Sequence, residues 1–212
     1  MNRNKIVDIV RGKSARDNQV EVGPSEIGGC RRKVWHRLQQ TPTINHDTLR
    51  MAAWMGTSIH KAIEAEIIKT DPFEDKYLLE VEVHRDGLMG HVDCYDIAEK
   101  QVVDWKTTTK KNLSSFPSDQ QRMQVQLYAW MLNGSGFETT SVQLVGIPRD
   151  GNELDIVTHV EDYDEDMALE GISWLREVKD QLFPPDPEKP VRFCRDYCNF
   201  YDQTGILGCP GK

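Results

Sequence analysis

Along the early part of the chain the apolar residues Ala52, Met55, Ile59, Ala62, Ile63 and Ile67 return at helical spacing. That pattern predicts a long helix from about Asp47 to Lys69 that lays one stripe on a core. A shorter helix is expected before it, from about Ser25 to Gln39, with a Pro-containing loop between the two. Strand-like segments then take over. Tyr77 to His84 and Leu88 to Ile97 read as strands, and Asp86-Gly87 between them is a strong hairpin signal. A third strand, Val102 to Trp105, follows a short turn at Glu99-Lys100. Ser118 stands where it would cap a helix running to about Leu132. A second hairpin joins about Ser141 to Ile147 with Glu153 to Val160 through Arg149-Asp150-Gly151-Asn152. The last predicted helix, about Glu165 to Leu182, turns Met167, Ile172, Leu175, Val178 and Leu182 toward a core and stops at Pro184-Pro185. Phe183 to Pro190 reads as a rigid connector.

This order predicts an α/β architecture. The 212 residues are enough for one sizeable core, read here as a single domain over 1–212. No internal repeat, low-complexity tract or membrane span is visible, and the polar, charged start lacks the apolar stretch of a signal peptide. A reducing cytoplasm is therefore the expected compartment. The net charge of −8 is unevenly placed. Residues 150–190 hold thirteen acidic and three basic residues, so the rest of the chain is slightly positive. Basic residues gather at Arg3, Lys5, Arg11, Lys13 and Arg16, at Arg31-Arg32-Lys33 with Arg37, and at Lys106, Lys110 and Lys111. Such clusters suit a path for phosphates, although ordinary solvated charge explains the first group equally well.

Candidate chemistry starts at Asp104-Trp105-Lys106, with Gly90-His91-Val92-Asp93 ending eleven residues earlier. Side chains two apart on a strand share a face, so Asp104 and Lys106 project together, and a paired strand brings Asp93 beside them. A surface strand with a salt bridge would give the same D-x-K. Two carboxylates and an ammonium on one face also suit a hard divalent cation held by oxygen, with a lysine near the reacting water or phosphate. His60 lies one turn after Gly56 in the long helix, on the same side. A mid-helix glycine costs about 1 kcal/mol against alanine, which calls for a close approach of backbone to sheet or ligand. Beside the carboxylates, His60 becomes a candidate third side-chain ligand. Gln124 and Tyr128, four apart, present an amide and a phenol that suit phosphate oxygens. Glu80 and Glu82 share a face, so alternation cannot choose which reaches the site; His91 shares a face with Asp93.

Of five cysteines, Cys30, Cys194, Cys198 and Cys209 can form a set, and clustered cysteines in a reducing compartment favour a metal or iron–sulfur site over disulfides. Cys94 follows Asp93, points to the opposite face, and reads as a small buried hydrophobe.

With these residues in view the chain resembles the RecB-like nucleases of the PD-(D/E)xK superfamily. Within it, the chain looks most like the iron–sulfur branch of CRISPR-associated adaptation exonucleases, their phage homologues and the AddB nuclease domain. Pro24 to Lys33 is similar to the helix with the first cluster cysteine, Gly56 to His60 to G-x-x-x-H, and Gly90 to Asp93 to G-x-x-D. Asp104 to Lys106 is similar to D/E-x-K, Gln124 to Tyr128 to Q-x-x-x-Y, and three cysteines close the chain, in family order. The family's last cysteines are usually closer together than Cys198 and Cys209.

The resemblance implies a restriction-endonuclease-like mixed sheet flanked by helices. It places the catalytic core at about 47–183, with cluster-binding segments 20–46 and 184–212. It implies Mg²⁺ or Mn²⁺ on His60, Asp93, Asp104 and the Trp105 carbonyl, with Lys106, Gln124 and Tyr128 completing the catalytic set. A [4Fe-4S] cluster on Cys30, Cys194, Cys198 and Cys209 would staple the two ends of the chain. The implied activity is a DNA exonuclease preferring single strands or ends, commonly from the 5′ end. Its partners would be DNA and an integrase or recombination proteins, without a membrane. Two alternatives stay open: a non-catalytic iron–sulfur DNA-binding or adaptor subunit, and a zinc-stapled nuclease.

Overall fold

The computed structural model describes residues 3–12, 21–46 and 48–212. Its helices are α1 (Arg3–Arg11), α2 (Arg31–Leu38), α3 (Met51–Thr70), α4 (Asp119–Gly134), α5 (Glu165–Lys179) and α6 (Val191–Tyr197). Its strands are β1 (Tyr77–Arg85), β2 (Leu88–Asp96), β3 (Gln101–Thr108), β4 (Ser141–Pro148) and β5 (Val157–Asp162). They divide into two compact units. One comprises residues 23–28 and 56–174, the other 1–22, 29–55 and 175–212.

The first unit is built on a five-stranded mixed sheet in the order β1-β2-β3-β4-β5. The Asp86-Gly87 hairpin pairs β1 and β2 antiparallel, as its turn residues predict, and both adopt positive φ. β3 and β4 are parallel, Gln101 to Thr108 against Ser141 to Pro148, and α4 makes the crossover between them. Alternation sorts β3 into two faces. Val103 and Trp105 join Cys94 in an apolar layer covered by Ile63 and Ile67 of α3. Asp104 and Lys106 are on the other face, where α4 packs on β1, β3 and β4. α4 opens with a capping box, Ser118 Oγ accepting from the Gln121 N–H while the Gln121 side chain returns to the Ser118 N–H. From Gln124 to Leu132 every residue of α4 is buried.

The second unit carries α1, α2, α6 and four of the five cysteines. Ile44, Asn45 and Leu49 are tied to α6 and the turn after it: the Ile44 and Asn45 N–H groups donate to the Asn199 carbonyl, and Leu49 N–H to that of Asp196. The Asn45 side chain donates to the Arg195 and Cys198 carbonyls. Trp35 donates its indole N–H to the Gln181 carbonyl and Arg32 reaches that of Pro185, so α2 is fixed to the connector after α5.

Several elements differ from the sequence expectation. The helix expected over Ser25–Gln39 is a 3₁₀ turn, Pro24–Glu26, followed by α2 from Arg31. Between them Gly28 adopts φ +72, which an α-helix cannot accommodate. β5 begins at Val157, not Glu153, because Glu153–Asp155 coil into a 3₁₀ turn capped by the Asn152 side chain. α5 ends at Lys179 rather than Leu182, and α6 was not anticipated. The long helix begins at Met51; Asp47, its expected start, lies outside the described residues, as do Lys13 and Arg16 of the basic cluster. No helix among the described residues is long and apolar enough to cross a membrane.

Candidate active site

β2 and β3 pair only at Cys94–Asp96 against Gln101–Val103, and beyond Cys94 and Val103 no further pairs form. Asp93 and Asp104 are the first residues past that fork. The Trp105 N–H, without a partner on the β2 backbone, donates instead to Asp93 Oδ2 at 2.9 Å. N–H and C=O of one strand residue point to the same side, so the Trp105 carbonyl also looks into the fork. A carboxylate thus fills a gap in the ladder, on the side toward which the Trp105 carbonyl points.

The other groups gather around this fork. His60 Nδ1 lies 3.4 Å from Asp93 Oδ1, with its ring edge-on to Trp105 at 5.8 Å. Lys106 Nζ is 2.6 Å from Asp104 Oδ2, as their shared face requires. Gln124 Nε2 donates to Asp104 Oδ1 at 3.2 Å and lies 3.4 Å from the Tyr128 hydroxyl. Gln124 and Tyr128 are both buried, and the Gln124 amide serves a carboxylate. Close approach explains two glycines. A Cβ on Gly56 would lie 3.0 Å from Thr107 Oγ1, and one on Gly90 only 2.7 Å from Tyr128 Cε1. The first meets the expectation for a mid-helix glycine; the second shows that the Tyr128 ring packs directly on β2.

Burial governs the charges here. It pushes the Asp104 carboxyl up to about 6, against the pull of Lys106 and with a further push from Asp93. Burial also opposes ionisation of Asp93, but the His60 contact, Lys106 and the Trp105 N–H outweigh it and hold the carboxyl below its usual range. Burial disfavours the His60 cation, yet the hydrogen bond to Asp93 and the charges of both aspartates keep its pKa raised.

Glu64 is a member of this neighbourhood that the sequence reading missed. Burial first, then Glu80, with which it shares a hydrogen bond, raise its carboxyl pKa, and Asp93 adds to the effect. The available signal was spacing: Glu64 is one turn after His60. Register separates Glu80 from Glu82. Glu80 falls opposite Asp93, where β1–β2 pairing lapses, with φ +47, an uncommon backbone for a non-glycine residue. Glu82 pairs with His91 and bridges His84 and His91 at 2.9 and 3.4 Å.

Comparison with known proteins gives the family. A family model described as the PD-(D/E)XK nuclease superfamily matches residues 30–203. The chain belongs to this superfamily. Among solved structures, this PD-(D/E)XK protein is similar to SSO0001, with 18% identity, a TM-score of 0.55, and coverage of 99% of this chain and 94% of that one. It is also similar to the alkaline exonuclease LHK-Exo from Laribacter hongkongensis, at 12% identity and a TM-score of 0.53 over 77% of this chain and 88% of that one. The same exonuclease in complex with dAMP gives a TM-score of 0.52 at 12% identity, covering 75% and 86% of the two chains. No curated protein matches. At these identities the likeness is one of fold.

The cysteines fall in two places. Cys94 is buried in the apolar layer, and burial pushes its thiol up to about 12. Cys30, at the cap of α2, Cys194 on α6, Cys198 at its end and Cys209 all belong to the second unit, and no cysteine is in a disulfide. Burial pushes the Cys194 thiol up to about 11, with smaller contributions from Cys198, Cys209 and Cys30. Cys209 reaches them through a closed loop: its N–H donates to the Phe200 carbonyl at 2.8 Å and its carbonyl accepts from Asp202 at 2.9 Å. Among the described residues, no three His, Cys, Asp or Glu side chains stand close enough to hold a single metal ion as placed. In the fork, His60 is turned onto Asp93 and Lys106 onto Asp104.

Proposed function

We propose that this PD-(D/E)XK protein is a single-domain, divalent-metal-dependent DNA exonuclease that prefers single strands or ends and works from the 5′ end. The observation that carries the reading is the forked sheet, which gathers two buried aspartates, a lysine, a histidine and an inward-facing carbonyl. The donor set fits a hard cation. Asp104 Oδ2 is buried beside the Lys106 ammonium at 2.6 Å, and a buried carboxylate is stabilised by positive charge, from such an ammonium or from a cation. Asp93, Asp104, His60 and the Trp105 carbonyl would hold Mg²⁺ or Mn²⁺, the imidazole making Mn²⁺ at least as suitable. Such a cation supplies Lewis acidity to a phosphate oxygen and acidifies water at the phosphorus.

The chain's own residues prepare for this. Gln124 orients Asp104 through its amide, and the Trp105 N–H fixes Asp93. Lys106, on the same face, is placed to orient a water or to stabilise charge developing on the phosphate. The end-directed and 5′ preferences rest on resemblance to the RecB-like family. The name of LHK-Exo, an exonuclease whose structure was solved with dAMP, agrees with the end-directed part.

A [4Fe-4S] cluster on Cys30, Cys194, Cys198 and Cys209 completes the proposal, as a structural staple between the α2 and α6 segments. A polynuclear cluster spreads its thiolates wider than one ion does, so it asks for four neighbouring thiols rather than a tight trio. DNA is the proposed substrate, with an integrase or recombination complex as the protein partner. The complete His60, Asp93, Asp104 and Lys106 set favours catalysis over an adaptor role.

The test is incubation of the purified protein with 5′- and 3′-labelled single- and double-stranded DNA, with Mn²⁺, with Mg²⁺ and with EDTA. Mononucleotides released from the 5′ end only when metal is present are expected. Asp104→Ala and Lys106→Ala should each abolish release; near-normal cleavage by both variants would overturn the mechanism.

A further inference from the structure

Helix α6 presents two aromatic rings to solvent. Phe193 and Tyr197 are four residues apart and therefore share one side of the helix. Their centroids lie 5.2 Å apart with the planes inclined by 40°, and each residue is 49% exposed. The other side of α6 is buried, with Cys194 and Cys198 packed against Phe200. The rings are thus a surface feature of a helix whose own core contacts are already made.

Basic residues flank this pair along the chain. Arg192 and Arg195 are exposed on the same short helix. The Val191 N–H donates to the Lys212 carbonyl at 3.3 Å and the Lys212 N–H to the Lys189 carbonyl at 2.8 Å, which brings both lysines to the start of α6. From Lys189 to Lys212 there are four basic and two acidic residues, the reverse of the acidic stretch just before. One of the two acids sits within the patch and offsets a single charge. Asp196 pairs with Arg195 at 2.9 Å, and the Asp202 carboxylate accepts from Thr204 and from the Leu207 N–H.

We infer that α6 is a stacking platform for unpaired nucleotides. Every base offers a π-face of the kind that stacks on phenyl and phenol rings, and its phosphate follows a nearby cation; this combination binds single strands with little regard to sequence. A duplex hides its base faces, so an unpaired strand is the fitting ligand. The inference leans on the nuclease reading for the identity of that strand as DNA.

Fluorescence anisotropy of a labelled dT20 strand titrated with the full-length protein in EDTA tests the platform. Hydrolysis of bis(p-nitrophenyl) phosphate with Mn²⁺ tests the fork separately. Phe193→Ala with Tyr197→Ala should weaken dT20 binding about tenfold or more and leave ester hydrolysis unchanged. Phe193→Tyr with Tyr197→Phe keeps both rings and should bind as the wild type does, which guards against loss through misfolding. Arg192→Ala should reduce the salt dependence by about one phosphate contact. Unchanged dT20 binding in the double alanine variant overturns the platform, as does a change confined to self-association in sedimentation. Ring-dependent binding without ester hydrolysis would uphold the platform and sink the nuclease reading. Hydrolysis by a wild-type protein that does not bind dT20 would do the opposite.

Discussion

Asp93 accepts the main-chain N–H of Trp105 at 2.9 Å, taking the place that a β2 carbonyl would hold if the two strands stayed paired. One side chain therefore both closes the sheet and faces the proposed cation. The two tasks separate by substitution. Asp93→Ala leaves a buried N–H without a partner and should cost about 1–3 kcal/mol of stability in urea unfolding. Asp93→Asn keeps an acceptor oxygen and should cost distinctly less. Both should lack nuclease activity, because an amide is a poor ligand for a hard cation. Equal stability losses in the two variants would show that the N–H contact is not what holds the fork.

Gly90 tests how tightly the Tyr128 ring is packed. An alanine Cβ there would sit 2.7 Å from Cε1 of the ring and 3.1 Å from Pro24 Cδ, so something must move. Gly90→Ala should destabilise by about 1–3 kcal/mol, the usual cost of forcing extra volume into a packed site. Trimming the ring in the same chain, with Tyr128→Leu, should return part of that loss. Thermal melts of the two single variants and the double variant measure the coupling, and strict additivity would contradict the contact.

Much of this fold was legible because its signals are local. Asp86-Gly87 requires only its own backbone to make a hairpin, and Ser118 with Gln121 writes the start of α4 within four residues. Alternation placed Asp104 with Lys106 and turned Cys94 away from Asp93 for the same reason. The fork was not legible. Pairing of β2 with β3 was expected to bring Asp93 beside Asp104, whereas the strands part at those two residues and a side chain makes the link. The choice between Glu80 and Glu82 needed the β1–β2 register, a long-range property. Glu64 went unnoticed because a glutamate on an exposed-looking helix face acquires meaning only when β1 is laid beside it. Gln124, expected to face phosphate, is explained by its donation to Asp104, which only packing of α4 on the sheet reveals.

Asp104 should make the metal-free protein less stable as pH rises. Its carboxyl ionises at about 6 when folded, against an ordinary value of 3.8. Between those values the unfolded chain has lost the proton that the folded chain still holds, so stability falls with rising pH. Each tenfold in proton affinity is worth about 1.4 kcal/mol, so the full effect is on the order of 3 kcal/mol. Asp104→Asn removes this titration. Chemical denaturation in EDTA should find the variant gaining on the wild type from pH 4 to 7, with the gap level above that. A gap that is constant across the range would show that Asp104 is ionised throughout. Mn²⁺ should stabilise the wild type at neutral pH and do little for Asp104→Asn.

The Cys198–Cys209 spacing is wider than the family pattern, and the proposed set still includes Cys209. Phe200 to Cys209 fold into a loop closed by main-chain hydrogen bonds at both ends of the turn, and Asp202 organises its tip through Thr204 and Leu207. Gly208 fits because a Cβ there would collide with the Phe200 carbonyl oxygen. Ten intervening residues therefore return Cys209 to the neighbourhood of Cys194 and Cys198 instead of carrying it away. Anaerobically purified wild type should be brown, with about four irons and four sulfides per chain; a colourless, zinc-containing protein would replace the cluster with a zinc staple. Cys30→Ala, Cys198→Ala and Cys209→Ala should each bleach the protein. Loss of the staple removes a link between segments more than 140 residues apart in sequence, so limited proteolysis should then cut near the α2 and α6 segments. Cys94→Ala should keep its colour, because that thiol is enclosed among Val103 and Trp105 on the other unit's apolar layer. If Cys209→Ala retained full iron and sulfide while Cys94→Ala lost them, the ligand set would be wrong and the loop would have to be explained by packing alone.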